Sequence, residues 1–127
     1  MSDLISKEPA TGVTLWTGTT GDADAAVSSA REAWPGWAAT GLVKRIEIIR
    51  RYANQIRSRG DELAELISRE TGKPMWESRT EVDSVVKKVD ISVTAFAERT
   101  PQRQLPSQPN TRVALRHKPH GVLAVLG

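Results

Sequence analysis

The spacing of apolar residues changes twice along this chain and divides it into three regions. Residues 1–21 read as strand and turn. Pro9-Ala-Thr-Gly12 is a turn signal, and Val13, Leu15 and Thr17 then alternate with Thr14, Trp16 and Gly18, the period of a short half-buried strand. Residues 22–99 read as helical. Asp22 and Asp24 stand where a helix macrodipole favours negative charge. Val27, Ala30, Ala33, Trp34 and Trp37 keep helical spacing, and Pro35 is expected to disrupt it. A second helix opens near Gly41. Its Leu42, Ile46, Ile49, Ala53 and Ile56 step by 4, 3, 4 and 3, which predicts one buried stripe, with Arg50, Arg57 and Arg59 facing water. Gly60 interrupts it, and Leu63, Leu66 and Ile67 continue as a third helix that Gly72 ends. Pro74 suits the first turn of a fourth helix, which presents Val82, Val85, Val86, Val89, Val93 and Phe96 and stops at Thr100-Pro101.

Residues 100–127 read as extended, because Pro101, Pro106, Pro109 and Pro119 forbid a long helix. Val113 and Leu115 alternate with Arg112, Ala114 and Arg116, as in a strand with one wet face. The run Val122–Leu126 carries neither charge nor alternation. It suits a central strand of a parallel sheet covered on both faces. Parallel partners are reached through crossovers of about a dozen residues or more, so the favoured reading is an N-terminal piece of a larger α/β protein with an incomplete parallel sheet. The alternative is a small α+β domain in which this strand pairs with an earlier segment.

Composition permits one folded unit of 127 residues, with 39% apolar and 26% charged positions. The net charge of +3 is too modest to indicate a nucleic-acid binder. No apolar run approaches the ~18 residues of a membrane span, and the first residues lack the pattern of a secretory signal, so no membrane partner and a cytoplasmic location are expected. The chain contains no Cys, which removes thiolate metal sites and a Cys nucleophile from its own repertoire.

Candidate chemistry is sparse. His117 and His120 flank Lys118-Pro119 without a nearby third metal ligand or a nucleophile to serve. Gly121 and Gly127 form no dinucleotide or phosphate loop. Arg69, Glu70, Lys73 and Glu77 crowd a helix–helix turn and read as solvated ion pairs. Lys44, Arg45, Arg50, Arg51, Arg57 and Arg59 make the second helix basic, but Tyr52 is its only aromatic and Glu62, Glu65 and Glu70 follow, so a solvated or interdomain face is the better reading. The expected catalytic, cofactor-binding and metal-binding residues within the chain are therefore none.

Three motifs carry a family resemblance. Glu70-Thr-Gly-Lys-Pro74, followed by Glu77 and Thr80-Glu-Val82, resembles a helix–turn–helix signature near the N-terminus of the aldehyde dehydrogenase superfamily. Pro9-Ala-Thr-Gly12 is similar to the opening turn of those enzymes. Pro119-His-Gly-Val-Leu-Ala-Val-Leu-Gly127 resembles the strand leading into their catalytic loop. Leu15-Trp16, Glu70-Thr-Gly-Lys-Pro-Met-Trp-Glu77 and especially Leu115–Val125 narrow the resemblance to a branch that oxidises a semialdehyde of arginine breakdown.

The resemblance implies an NAD-dependent oxidation in which a Cys thiolate attacks the aldehyde, a Glu activates water, and an Asn with a backbone N–H holds the oxyanion. It places all of these beyond Gly127. What it assigns to this chain is scaffold: strand and turn over 1–21, a helical layer over 22–99, an arm segment used in subunit contacts over 100–120, and the first cofactor-domain strand over 121–127. By this resemblance the full-length enzyme takes a small aldehyde and NAD and is a homo-oligomer, while the chain alone binds no cofactor and is inactive. Two other readings remain: a family member with a different aldehyde, and a stand-alone helical interaction module.

Overall fold

The computed structural model describes residues 3–125. Strand β1 (Asp3–Lys7) pairs antiparallel with β2 (Thr14–Thr19), setting Ile5 opposite Thr17 and Ser6 opposite Trp16, with an irregularity in register between Ser6 and Lys7. The turn forms where Pro9–Gly12 predicts it. Glu8 N–H donates to the Val13 carbonyl at 2.9 Å and Gly12 N–H to the Glu8 carbonyl at 2.8 Å, with Gly12 at φ 74°, a left-handed conformation open to glycine. The predicted strand at Val13–Thr17 is thus present one residue later and runs on to Thr19. Its partner β1 carries too short an alternation to be read from sequence.

Helix α1 (Ala23–Ala39) is capped by Asp22, whose carboxylate accepts from Ala25 N–H at 3.0 Å. It runs through Pro35 to Ala39, so the expected disruption does not occur. Pro35 lies in the last turns, where the loss of one backbone donor leaves few later bonds to disturb. Helix α2 (Leu42–Ser58) follows Gly41 as predicted, and α3 (Gly60–Thr71) starts at Gly60 itself. Gly72 ends α3 at φ 76°, with its N–H on the Ser68 carbonyl at 2.8 Å. Pro74 is the N-cap of α4 (Met75–Arg99), one position before the first turn.

The core lies where α4 crosses α2 and α3. Ala53 of α2 meets Val86 and Val89 of α4, flanked by the half-buried Ile56. At the α3–α4 crossing Ala64 is 0% exposed, and the equally buried Ser78 donates through Oγ to the Pro74 carbonyl at 3.4 Å. Small residues at these crossings let the helix backbones approach closely, so a slim core suffices. The α2 stripe is only partly covered. Ile46 and Ile56 are half-buried, but Ile49 is 41% exposed, contrary to the expected burial. Leu42 is 41% exposed as well, and both side chains line an open groove between α2 and α4, so the stripe is covered only in part. Arg50, Arg57 and Arg59 are exposed as expected.

Beyond α4, β3 (Arg103–Leu105) and β4 (Val113–Leu115) form a second antiparallel ribbon, with Gln104 opposite Ala114. Asn110, at φ 65°, supplies the left-handed turn residue. Both sheets among the described residues are two-stranded and antiparallel. The parallel strand expected over 121–127 is not formed in its described part: residues 121–125 adopt no regular structure, and Leu126 and Gly127 lie outside the described residues. A strand buried on both faces needs a neighbour on each side, and the two ribbons supply none. The architecture is mixed helix and strand, with four helices and short strands.

Candidate functional site

The densest polar arrangement gathers where α3 ends and the β1–β2 hairpin meets it. Glu70, in the last turn of α3, accepts through one oxygen, Oε1, from two donors: Ser6 Oγ at 2.6 Å and the Trp16 indole N–H. One residue earlier, Arg69 Nε donates to Glu8 Oε1 at 3.0 Å, and Glu8 also takes the Thr11 hydroxyl. Pro9 lies over Gly72, where an added Cβ would sit 3.9 Å from the proline ring. On the far side of the turn Lys73 pairs with Glu81, and Ser68 Oγ donates to the Lys73 carbonyl at 2.6 Å.

The electrostatics follow from these contacts. The hydrogen bond from Ser6, then that from Trp16, favours the carboxylate form of Glu70 and holds its pKa below the ordinary range. Thr11 and then Arg69 do the same for Glu8. Glu81 raises the Lys73 pKa. The Arg69–Glu77 cluster read from sequence as solvated ion pairs is therefore, at Arg69 and Glu70, the joint between hairpin and helices. The partners are 54 to 64 positions away in the chain, which is why spacing alone did not reveal them.

The other sequence candidates stay apart. His117 and His120 are exposed in the irregular segment, and His120 shares a shallow cleft with Arg31, Trp34, Gly121 and Val122. Among the described residues, no three His, Cys, Asp or Glu side chains are grouped to hold a metal. Half of the basic side chains of the α2 region have a carboxylate partner. Lys44 pairs with Glu47 at 3.1 Å, Arg50 with Asp90 at 3.3 Å and Arg59 with Glu62, while Arg57 donates to Asn54 at 2.7 Å. Among the described residues, no helix is long and apolar enough to cross a membrane. An apolar groove that sequence reasoning missed runs between α2 and α4, lined by Trp37, Leu42, Ile46, Ile49, Val93 and Phe96. The Arg45 Nε at its edge is buried without a hydrogen-bond partner among the described residues.

The aldehyde dehydrogenase family pattern matches residues 3–127, and the chain belongs to that family. It is 60% identical over 126 residues to an N-succinylglutamate 5-semialdehyde dehydrogenase of Novosphingobium aromaticivorans, covering 99% of this chain and 27% of that protein. A protein of the same name from Sphingopyxis alaskensis is 56% identical, with coverages of 98% and 26%. A solved succinate-semialdehyde dehydrogenase from Burkholderia pseudomallei superposes with a TM-score of 0.75 at 29% identity, covering 89% of this chain and 24% of that one. The chain thus spans about a quarter of the length of the curated relatives it matches.

Helix N-termini are the natural seats for a diphosphate; the first turn of α2 carries no acid, while those of α1, α3 and α4 carry Asp24, Asp61 with Glu62, and Glu77. Carboxylates there oppose a second anion. The Gly-rich loop that would bring backbone N–H groups to a diphosphate is absent from the sequence as well. The chain contains no Cys to act as a thiolate nucleophile.

Proposed function

We propose that this chain is the N-terminal scaffold of an NAD-dependent N-succinylglutamate 5-semialdehyde dehydrogenase, an enzyme that oxidises its semialdehyde to N-succinylglutamate, and that alone it turns over no aldehyde. The observation that carries this reading is the 60% identity over 126 residues to a relative of that name, of which the match spans 27%. The absence of any Cys from the chain supports the reading that the thiolate chemistry lies elsewhere in the whole enzyme.

Within that enzyme each region has a task. The helical layer of 22–99 packs beside the cofactor-binding domain. The groove beside Ile49, with the unpartnered Arg45 Nε, is the face that the rest of the enzyme covers. The β3–β4 ribbon is the base of an arm that meets a second subunit, consistent with its two free edges. Residues 121–127 become the first strand of the cofactor domain once its parallel neighbours are present. The location is cytoplasmic, in keeping with a soluble catabolic enzyme.

The test is turnover. The purified chain, supplied with N-succinylglutamate 5-semialdehyde and NAD, is expected to form no NADH above buffer. NADH formation by this chain, free of host enzyme, overturns the reading.

A further inference from the structure

The hairpin is joined to the helices by side chains, and the joint converges on one oxygen atom. Ser6 and Trp16 face each other across the β1–β2 register, and both donate to Glu70 Oε1. One carboxylate oxygen thus takes a donor from each strand at a single rung. The register slips just beyond that rung, between Ser6 and Lys7.

The apolar anchoring of this unit is thin. Leu4, Ile5 and Val13 are exposed, and only the half-buried Leu15 and the Pro9 ring over Gly72 add apolar contact. A two-stranded hairpin is marginal in water without a third strand or a covering helix. The second link joins Arg69, 46% exposed, to the half-buried Glu8, 17% exposed, and its single contact brings one hairpin donor-acceptor pair where Glu70 takes two. The neighbouring charges are engaged elsewhere: Arg69 with Glu8, and Lys73 with Glu81.

We propose that Glu70 is a clasp, and that the β1–β2 hairpin is a separately releasable unit that stays docked only while this carboxylate holds Ser6 and Trp16 together. The proposal is independent of the catalytic reading, since it concerns this chain's own folding. A charge-assisted bond from each strand favours the docked state over the free hairpin, while the α2–α3–α4 packing lies outside the joint.

Hydrogen exchange on the whole chain tests it, with Glu70→Gln, Glu70→Ala, Trp16→Phe and Arg69→Ala variants. Glu70→Gln and Glu70→Ala are expected to speed amide exchange across β1 and β2 by about tenfold or more, the scale of losing a charge-assisted hydrogen bond. Amides of α2 and α4 are expected to keep their parent rates. Trp16→Phe, which keeps the ring and removes the N–H, produces a smaller rise confined to the hairpin, and Arg69→Ala a smaller one still. Unchanged hairpin exchange in both Glu70 variants overturns the clasp. So does a rise of equal size in α2 and α4. Should Glu70→Ala unfold the whole chain, Trp16→Phe decides: parent-like hairpin exchange in that variant overturns the proposal.

Discussion

The Trp16 indole N–H donates to the Glu70 carboxylate across 54 positions of sequence, and this contact joins the N-terminal hairpin to the end of α3. Ser6 donates to the same oxygen. A carboxylate with two donors is stabilised in its charged form, so the contact is coupled to pH.

The sign of that coupling is set by the depressed pKa. Glu70 titrates lower in the folded chain than in the unfolded one, and Glu8 shifts in the same direction. Their stabilisation is fully present above the ordinary carboxylate pKa of about 4.3 and is lost as pH falls through the lower folded value. Acidification below about pH 4 is therefore expected to change Trp16 emission and speed hairpin exchange, while Glu62 in α3, held low by its bond from Arg59, loses its pair in the same direction. Glu70→Gln is expected to flatten this acid transition. An acid transition unchanged in Glu70→Gln contradicts the assignment.

The core makes a contrasting pair of predictions. Val86 is buried against Ala53, whereas Ile49 is 41% exposed. Val86→Ala is expected to cost about 1–3 kcal/mol, and Ile49→Ala less than about 1 kcal/mol in this chain. Ala64→Leu is expected to destabilise by about 1–3 kcal/mol or more, because Ala64 is fully enclosed between α3 and α4. Urea unfolding of the variants gives the comparison. Equal losses at Val86 and Ile49 would mean that the stripe is covered after all.

Gly72 ends α3 at φ 76°, where a Cβ is strained whatever the space around it. Gly72→Ala is expected to cost about 1–2 kcal/mol. The Cβ would meet Pro9 at an ordinary 3.9 Å, so the penalty is conformational and not a clash. A Gly72→Asn variant, better suited to this conformation, is expected to recover part of the loss.

How far the sequence spoke for the structure depends on the range of the interactions. Local signals were legible. Gly41, Gly72, Pro74 and Thr100 bound helices within a residue or so of where turn and cap chemistry places them. Val13–Thr17 was readable as a strand for the same reason. Pro35 misled because proline marks a helix break only where enough helix follows to be disturbed. β1 and β3 escaped notice because three to five residues carry too little periodicity. The Glu70 joint and the α2–α4 groove depend on partners far apart in sequence, which no spacing rule reaches. Ile49 shows the remaining limit: a stripe predicts which face is apolar, not what covers it.

The segment ending the described chain predicts association. Leu123 is 72% exposed and Val125 89%, in an apolar run paired with no strand among the described residues. The β3–β4 ribbon adds two edges that pair with no other strand among the described residues. Such features are templates for pairing with another chain. Sedimentation of the purified chain is expected to show concentration-dependent self-association, reduced by Val125→Lys. A concentration-independent monomer with slow exchange at Val122–Val125 would favour a self-contained domain.

The central claim, that this chain is the scaffold quarter of an N-succinylglutamate 5-semialdehyde dehydrogenase, is tested most directly by a chimera. This chain would replace the matching segment of the Novosphingobium aromaticivorans relative, with which it shares 60% identity over 126 residues. The account predicts a folded chimera that reduces NAD with N-succinylglutamate 5-semialdehyde at a rate within about tenfold of the parent enzyme. A folded chimera without that activity, alongside an active parent, would contradict it.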